Sequence, residues 1–269
     1  MNHLGKYAIA LAALAVPLAA QAHKMWLLPS ATSVAGNDPW ITVDAAVSND
    51  LFFADHMPGA LDRLVIIAPN GQPIQAENAF TGKYRSVFDV HLTQQGTYKI
   101  AMLNRGALAS YELNGEKKRW RGNPVDMTKA LPVGAKNVEV TESISRVETF
   151  VSNGKPNDAA LKPSGDGIEM VPVTAVNDLV AGEPASFRLL LDGKPAANLE
   201  VTAIAGATRY RNAPEEIKAT TDSDGKFTLT WPHAGMYWVN ANTQDRHTQI
   251  SQAKQRRVAY SATLEVLPE

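Results

Sequence analysis

His23 stands directly behind Ala20-Gln21-Ala22, the small-x-small pattern at which a secretory signal peptide is cut. Lys6 supplies the positive start of such a leader and Ala8 to Leu18 its apolar stretch. Cleavage after Ala22 makes His23 the first residue of the mature chain. Its α-amine and one imidazole nitrogen can then close on a single metal ion as a chelate. Nitrogen donors of this kind suit Cu, Ni, Co or Zn rather than Mg or Ca.

Four further histidines follow: His56, His91, His233 and His247. His56 lies in a loop that also holds Asp50, Asp55 and Met57. That segment offers imidazole, carboxylate and thioether donors, and its carboxylates can orient a ligand ring. His91 lies in Val87-Phe88-Asp89-Val90-His91-Leu92, where strand alternation separates it from Phe88, Val90 and Leu92. If those three face the core, His91 faces outward, as a ligand or as an ordinary surface histidine. His247 reads as a surface residue, and His233, in Pro232-His233-Ala234-Gly235, as a turn residue. His23 and His56 are the leading metal ligands, and Asp55 and His91 the lesser ones. A first strand at the mature start would put His23, Met25 and Leu27 on one face, and Lys24, Trp26 and Leu28 on the other.

Other chemistries lack their motifs. Asp222-Ser223-Asp224-Gly225 opens like a calcium loop but has no closing Glu at the required spacing, so a hairpin turn is expected. No Gly-x-Ser-x-Gly, no carboxylate pair suited to glycosidic chemistry and no Gly-rich phosphate loop stands out. No catalytic residue and no organic-cofactor site is assigned.

The elements that must position these residues are short strands. Trp40 to Val47, Arg63 to Ala68, Ser86 to Leu92 and Thr97 to Leu103 alternate or run apolar between Gly, Pro, Asn and Asp turns. That pattern is all-β. Asn104 to Ala135, with Lys117, Lys118, Arg119, Trp120 and Arg121, reads as a long excursion with at most a short helix. The Gly- and Pro-bearing stretch Ser152 to Gly167 is the domain boundary. A second set of strands follows, with tight hairpins expected at Asp192-Gly193 and Asp224-Gly225. The predicted plan is a signal peptide (1–22), an N-terminal β-sandwich (23–155) with the excursion at 104–135, and a C-terminal β-sandwich (166–269).

Bulk properties narrow the function further. The formal charge is −1 over 269 residues, which argues against a nucleic-acid binder. There is no cysteine, so disulfides, thiolate metal sites and a lipid-bearing N-terminal Cys are excluded. No apolar run beyond the leader reaches membrane-spanning length. A soluble, periplasmic protein is expected.

The second half, from Gly182-Glu183-Pro184 through Asp192-Gly193-Lys194-Pro195 and Thr221 to Phe227 to Ala234-Gly235-Met236-Tyr237, resembles the transthyretin-like or carboxypeptidase-regulatory-like repeat. The mature chain as a whole resembles the DUF4198 family of exported bacterial proteins. The matching residues include His23, Trp26 and Pro29, Val47 to Phe52, Asp55-His56, Gly82 to Arg85, Arg119 to Gly122, Gly154-Lys155-Pro156, and Gly167, Glu169, Pro172 and Val173. The resemblance implies a NikM-like periplasmic component of cobalt or nickel uptake. Three readings stand together. The first is an accessory of metal uptake or homeostasis that binds a transition-metal ion or complex (Ni, Co, Cu or Zn) and serves a membrane transporter. The second is a non-metal interaction module of an envelope or TonB-dependent receptor complex. The third is a copper oxidase built on a histidine brace.

Overall fold

The computed structural model describes residues 23–269, and the leader expected at 1–22 lies outside them. The fold is all-β. The first sheet holds β1 (Lys24–Pro29), β2 (Trp40–Ser48), β5 (Ser86–His91) and β4 (Glu77–Thr81), in that spatial order. Met57–Pro58 adds a two-residue pairing to β2. The largest sheet runs β12 (Ile217–Thr220), β11 (Glu200–Ala205), β14 (Gly235–Asp245), β15 (Ala253–Val266), β8 (Lys136–Asn153), β6 (Gly96–Leu113) and β3 (Leu64–Ile67). β7 (Glu116–Gly122) also pairs with β6. The third sheet holds β9 (Ile168–Pro172), β10 (Pro184–Leu191) and β13 (Lys226–Thr230).

The largest sheet belongs to both halves because β8 lies parallel beside β15. Successive residues of a strand point to opposite faces. β8 therefore sends Val147 and Val151 into one core, with Leu27, Val43, Phe88 and Ile100. It sends Ile144 and Phe150 into the other, with Phe187, Trp231, Tyr237 and Tyr260. The first sheet covers the former face and the third sheet the latter. Between Asn153 and Ile168 the chain leaves the largest sheet and enters the third, with one short 3-10 turn at Ala159–Leu161.

Strand alternation on β5 is as expected: Phe88 and Val90 are fully buried and Asp89 and His91 are not. Asp192-Gly193 closes a two-residue hairpin with φ of 52° and 75°, the mirror-image turn that suits strand twist. Two segments differ from expectation. The stretch after Asn104 is not irregular: β6 continues to Leu113, and Asn114-Gly115, both at positive φ, turns it into β7. The short helix is present at Met127–Ala130. The Asp222–Gly225 turn is tight, with Asp222 Oδ1 accepting the Asp224 and Lys226 N–H groups. It is not a hairpin, since it joins β12 and β13, which lie in different sheets.

Candidate functional site

His23 immediately precedes β1, and β1 pairs with β2 so that Lys24 lies opposite Ser48. Met57 lies opposite Val47 from the other side of β2. The end of β2 is thus flanked by the residue before β1 and by the residue before Met57. The rings of His23 and His56 meet there face to face, with centroids 3.8 Å apart and planes inclined by 7°. Both residues are exposed.

The loop that carries His56 is held from inside and outside. Asp55 Oδ1 accepts the Asn49 N–H (3.1 Å), so this carboxylate braces the loop next to His56. Ser48 Oγ accepts from Trp26 Nε1 (2.8 Å) and donates to the Asp50 carbonyl (2.5 Å). Thr208, from the C-terminal half, accepts the Leu51 N–H (2.9 Å). Arg209 sits over the Phe53 ring, 4.1 Å from its centre. Trp26, Ala46, Leu51 and Ile204 bury one another beneath the loop. β1 is fastened in the same way, with Trp238 Nε1 (3.0 Å) and Ser261 Oγ (3.2 Å) both donating to the Met25 carbonyl. The predicted two-face pattern holds: Met25 and Leu27 pack on the N-terminal core, Trp26 and Leu28 beneath the loop.

A cleft of about 680 Å³ opens beside this pair. His23, Lys24 and Asp50 form one wall, and Thr202, Asn240 and Asn242 lie across the largest sheet. Sequence reading passed over the last three. Asn240 and Asn242 alternate with buried Val239 and Ala241, and the polar positions of such a strand read as plain solvent-facing residues.

The other candidates lie elsewhere. His91 pairs opposite Trp40, at the far end of β2 from Ser48. β2 has nine residues, so its ends are roughly 26 Å apart at about 3.3 Å per residue. His91 does face outward, but it stacks on Trp40 (4.1 Å between centroids) and bonds Asp38 through Nε2. It does not join His23 and His56. His233 is a turn residue whose carbonyl accepts the Tyr237 hydroxyl (2.9 Å). His247 is exposed beside Asp245. Among the described residues, no three His, Asp or Glu side chains gather closely enough to hold one ion.

Among solved structures, the chain is similar to the D0-D1 domain of Intimin at 14% identity, covering 90% of this chain and 97% of that one, with a TM-score of 0.21. It is also similar to a marsupial T cell receptor at 10% identity, covering 91% and 74%, with a TM-score of 0.22. Likenesses this distant carry no inference about its function. No curated protein matches it in sequence. The model of the family described as "Domain of unknown function (DUF4198)" matches residues 20–245, most of the sheet framework and the whole His23–His56 site, and the chain belongs to that family.

Proposed function

We propose that the mature chain, beginning at His23, binds a transition-metal ion or a small metal complex at the His23–His56 pair, as an accessory of metal uptake or homeostasis in the periplasm. The observation that carries this reading is the stacking of two imidazoles from distant parts of the sequence, with ring centres 3.8 Å apart, beside a large cleft that His23 lines. Two side-chain ligands are too few for a firm site, since such ions usually take four. Cleavage before His23 would add the α-amine as a third donor, and Met57, 49% exposed beside His56, is a soft fourth. Imidazole lone pairs lie in the ring plane, so one of the stacked rings must turn before both nitrogens face one ion. The adjoining cleft gives the reading room for a chelated ion as well as a bare one. Handover to a membrane transporter or receptor completes the proposed role. No helix among the described residues is long and apolar enough to cross a membrane.

The test is titration of a chain starting at His23 with Ni²⁺, Co²⁺, Cu²⁺ and Zn²⁺, beside the same chain with its α-amine acetylated. At least one ion should bind the first chain with one-to-one stoichiometry. The acetylated chain should bind it at least about tenfold more weakly, because its nitrogen is an amide and not an amine. Equal affinities would remove the chelate.

A second reading, an interaction module, draws on β7. This strand is exposed, carries Lys117, Lys118, Arg119 and Arg121, and has one edge unpaired among the described residues. Reversing those charges should then disturb capture of an acidic envelope partner while leaving metal titration unchanged.

A further inference from the structure

On the face of the largest sheet opposite the histidine cleft lies a separate cavity of about 380 Å³. Its floor is Val65 and Ile67 of β3, Ala101 and Leu103 of β6, and two cationic side chains, Lys99 and Arg146. The turn at Asn70 to Gln72 and the segment from Ala159 to Ser164 form its rim. Lys99 is 8% exposed and Arg146 6%. The two cations are served very differently. Arg146 is paired with buried Glu148 (3.1 Å) and Glu169 (3.4 Å), and it donates to Ser164 Oγ (2.8 Å). Those carboxylates are themselves well bonded. Glu148 accepts the Tyr260 hydroxyl, and Glu169 the Ser164 and Gly165 N–H groups.

Lys99 has no such partner. Among the described residues no carboxylate pairs with its ammonium, which donates only to the Lys162 carbonyl (3.2 Å). An ammonium has three N–H donors, so two remain unmatched. The Nε–H of Arg146 is also buried without an acceptor. A buried charge is costly unless it is paired, and a neutral water satisfies a donor but does not neutralise a charge. Lys99 is thus a cation with spare donors at a cavity whose remaining floor is apolar, whereas Arg146 is already neutralised by its two carboxylates and its Nε–H has no surface open to the cavity.

We propose that this cavity binds a small organic anion. Its oxyanion head would take the spare donors of Lys99, and its apolar body would lie on Val65, Ile67, Ala101 and Leu103. The site lies on the opposite face of the sheet from the histidine pair, with Arg146 bordering both cavities.

Calorimetric titration of the folded chain with benzoate, which has both head and body, and with inorganic phosphate, which has only a head, tests this. Benzoate should bind at one saturable site, more tightly than phosphate. Lys99→Met keeps the side-chain length and removes the charge, and should weaken benzoate binding at least about tenfold. Ala101→Leu keeps both cations and narrows the cavity, and should also abolish binding, so the proposal stays testable if either variant folds poorly. Failure of benzoate to bind the wild-type chain, or undiminished binding by a folded Lys99→Met chain, overturns the site. Phosphate binding as tight as benzoate overturns its organic, partly apolar character.

Discussion

Two histidines from separate segments can be brought together for different reasons, and single substitutions separate them. If His23 and His56 only stack, removing either changes nothing but a surface contact. If they share an ion, His56→Ala leaves the amine–imidazole chelate and Met57, and affinity should fall at least about tenfold, the least that loss of even an outer partner of a ligand costs. His91→Ala should leave affinity unchanged, because His91 is engaged with Trp40 and Asp38 at the other end of β2. His247→Ala should do the same. Metal titration of the three variants, each checked for folding by circular dichroism, reads this directly. A loss on His91→Ala equal to that on His56→Ala would show that the ion sits elsewhere. The His23–His56 pairing was open to sequence reasoning through residue type and the leader boundary. The exclusion of His91 was not, because alternation gives the face of a strand but not which of its ends lies near another residue.

At the scale of elements, the loop from Asn49 to His56 is the device that delivers His56, and its fit depends on the C-terminal half. Phe52 takes a positive φ of 62° and presses on Gly206, where an added Cβ would lie 2.9 Å from the Phe52 ring and 3.3 Å from the Met236 carbonyl. Gly206→Val should therefore cost about 1–3 kcal/mol through overpacking. It should also loosen the loop and weaken metal binding without touching a ligand. Denaturant unfolding gives the first effect and titration the second; a destabilised variant with wild-type affinity would show that the loop does not need this seat. Some elements were plain from sequence. The apolar set of β5 and the Asp192-Gly193 hairpin follow from alternation and turn chemistry alone. The β6–β7 hairpin carried an equally strong sign in Asn114-Gly115. Its cations and poor alternation masked the strand, because all but Trp120 and Gly122 of β7 are exposed and no apolar face was needed. The Asp222–Gly225 turn shows the opposite error. A tight turn fixes a reversal of direction, but which sheet the next strand joins is decided by the core residues Phe227 and Leu229.

Across the whole molecule, the parallel pairing of β8 with β15 joins segments more than a hundred residues apart, and no local pattern announces it. Each strand reads as ordinary alternation. Their adjacency is set by the need to fill two cores from one shared sheet. The third sheet must then be fixed to that shared sheet beyond its apolar contacts, and Arg256 does this. Its guanidinium on β15 is only 2% exposed and reaches Asp245 at the end of β14 (Nε, 2.7 Å) and Asp192 in the hairpin after β10. Burial opposes ionisation of Asp192, but hydrogen bonds from Arg256 and from the Gly167 N–H outweigh it, so its carboxyl is held below the usual range. Hydrogen bonding from Arg256 lowers Asp245 likewise, against a smaller effect of burial. A carboxylate whose pKa is depressed on folding contributes stability that is fully present above its unfolded value, about 3.9 for aspartate, and is lost as pH falls through the folded value. The clamp should thus be intact at pH 5 to 8 and weaken below about pH 4. Asp192→Asn should lower stability by about 1.5 kcal/mol at pH 7, the loss of a charge-assisted hydrogen bond. That deficit should shrink toward zero as pH falls through the folded pKa of Asp192, below which the wild-type carboxyl is protonated too. Thermal melts of both chains from pH 7 down to pH 2 trace the convergence. A deficit that stays constant over that range would mean that Asp192 acts through the shape of its turn, and that the charge on Arg256 holds nothing together.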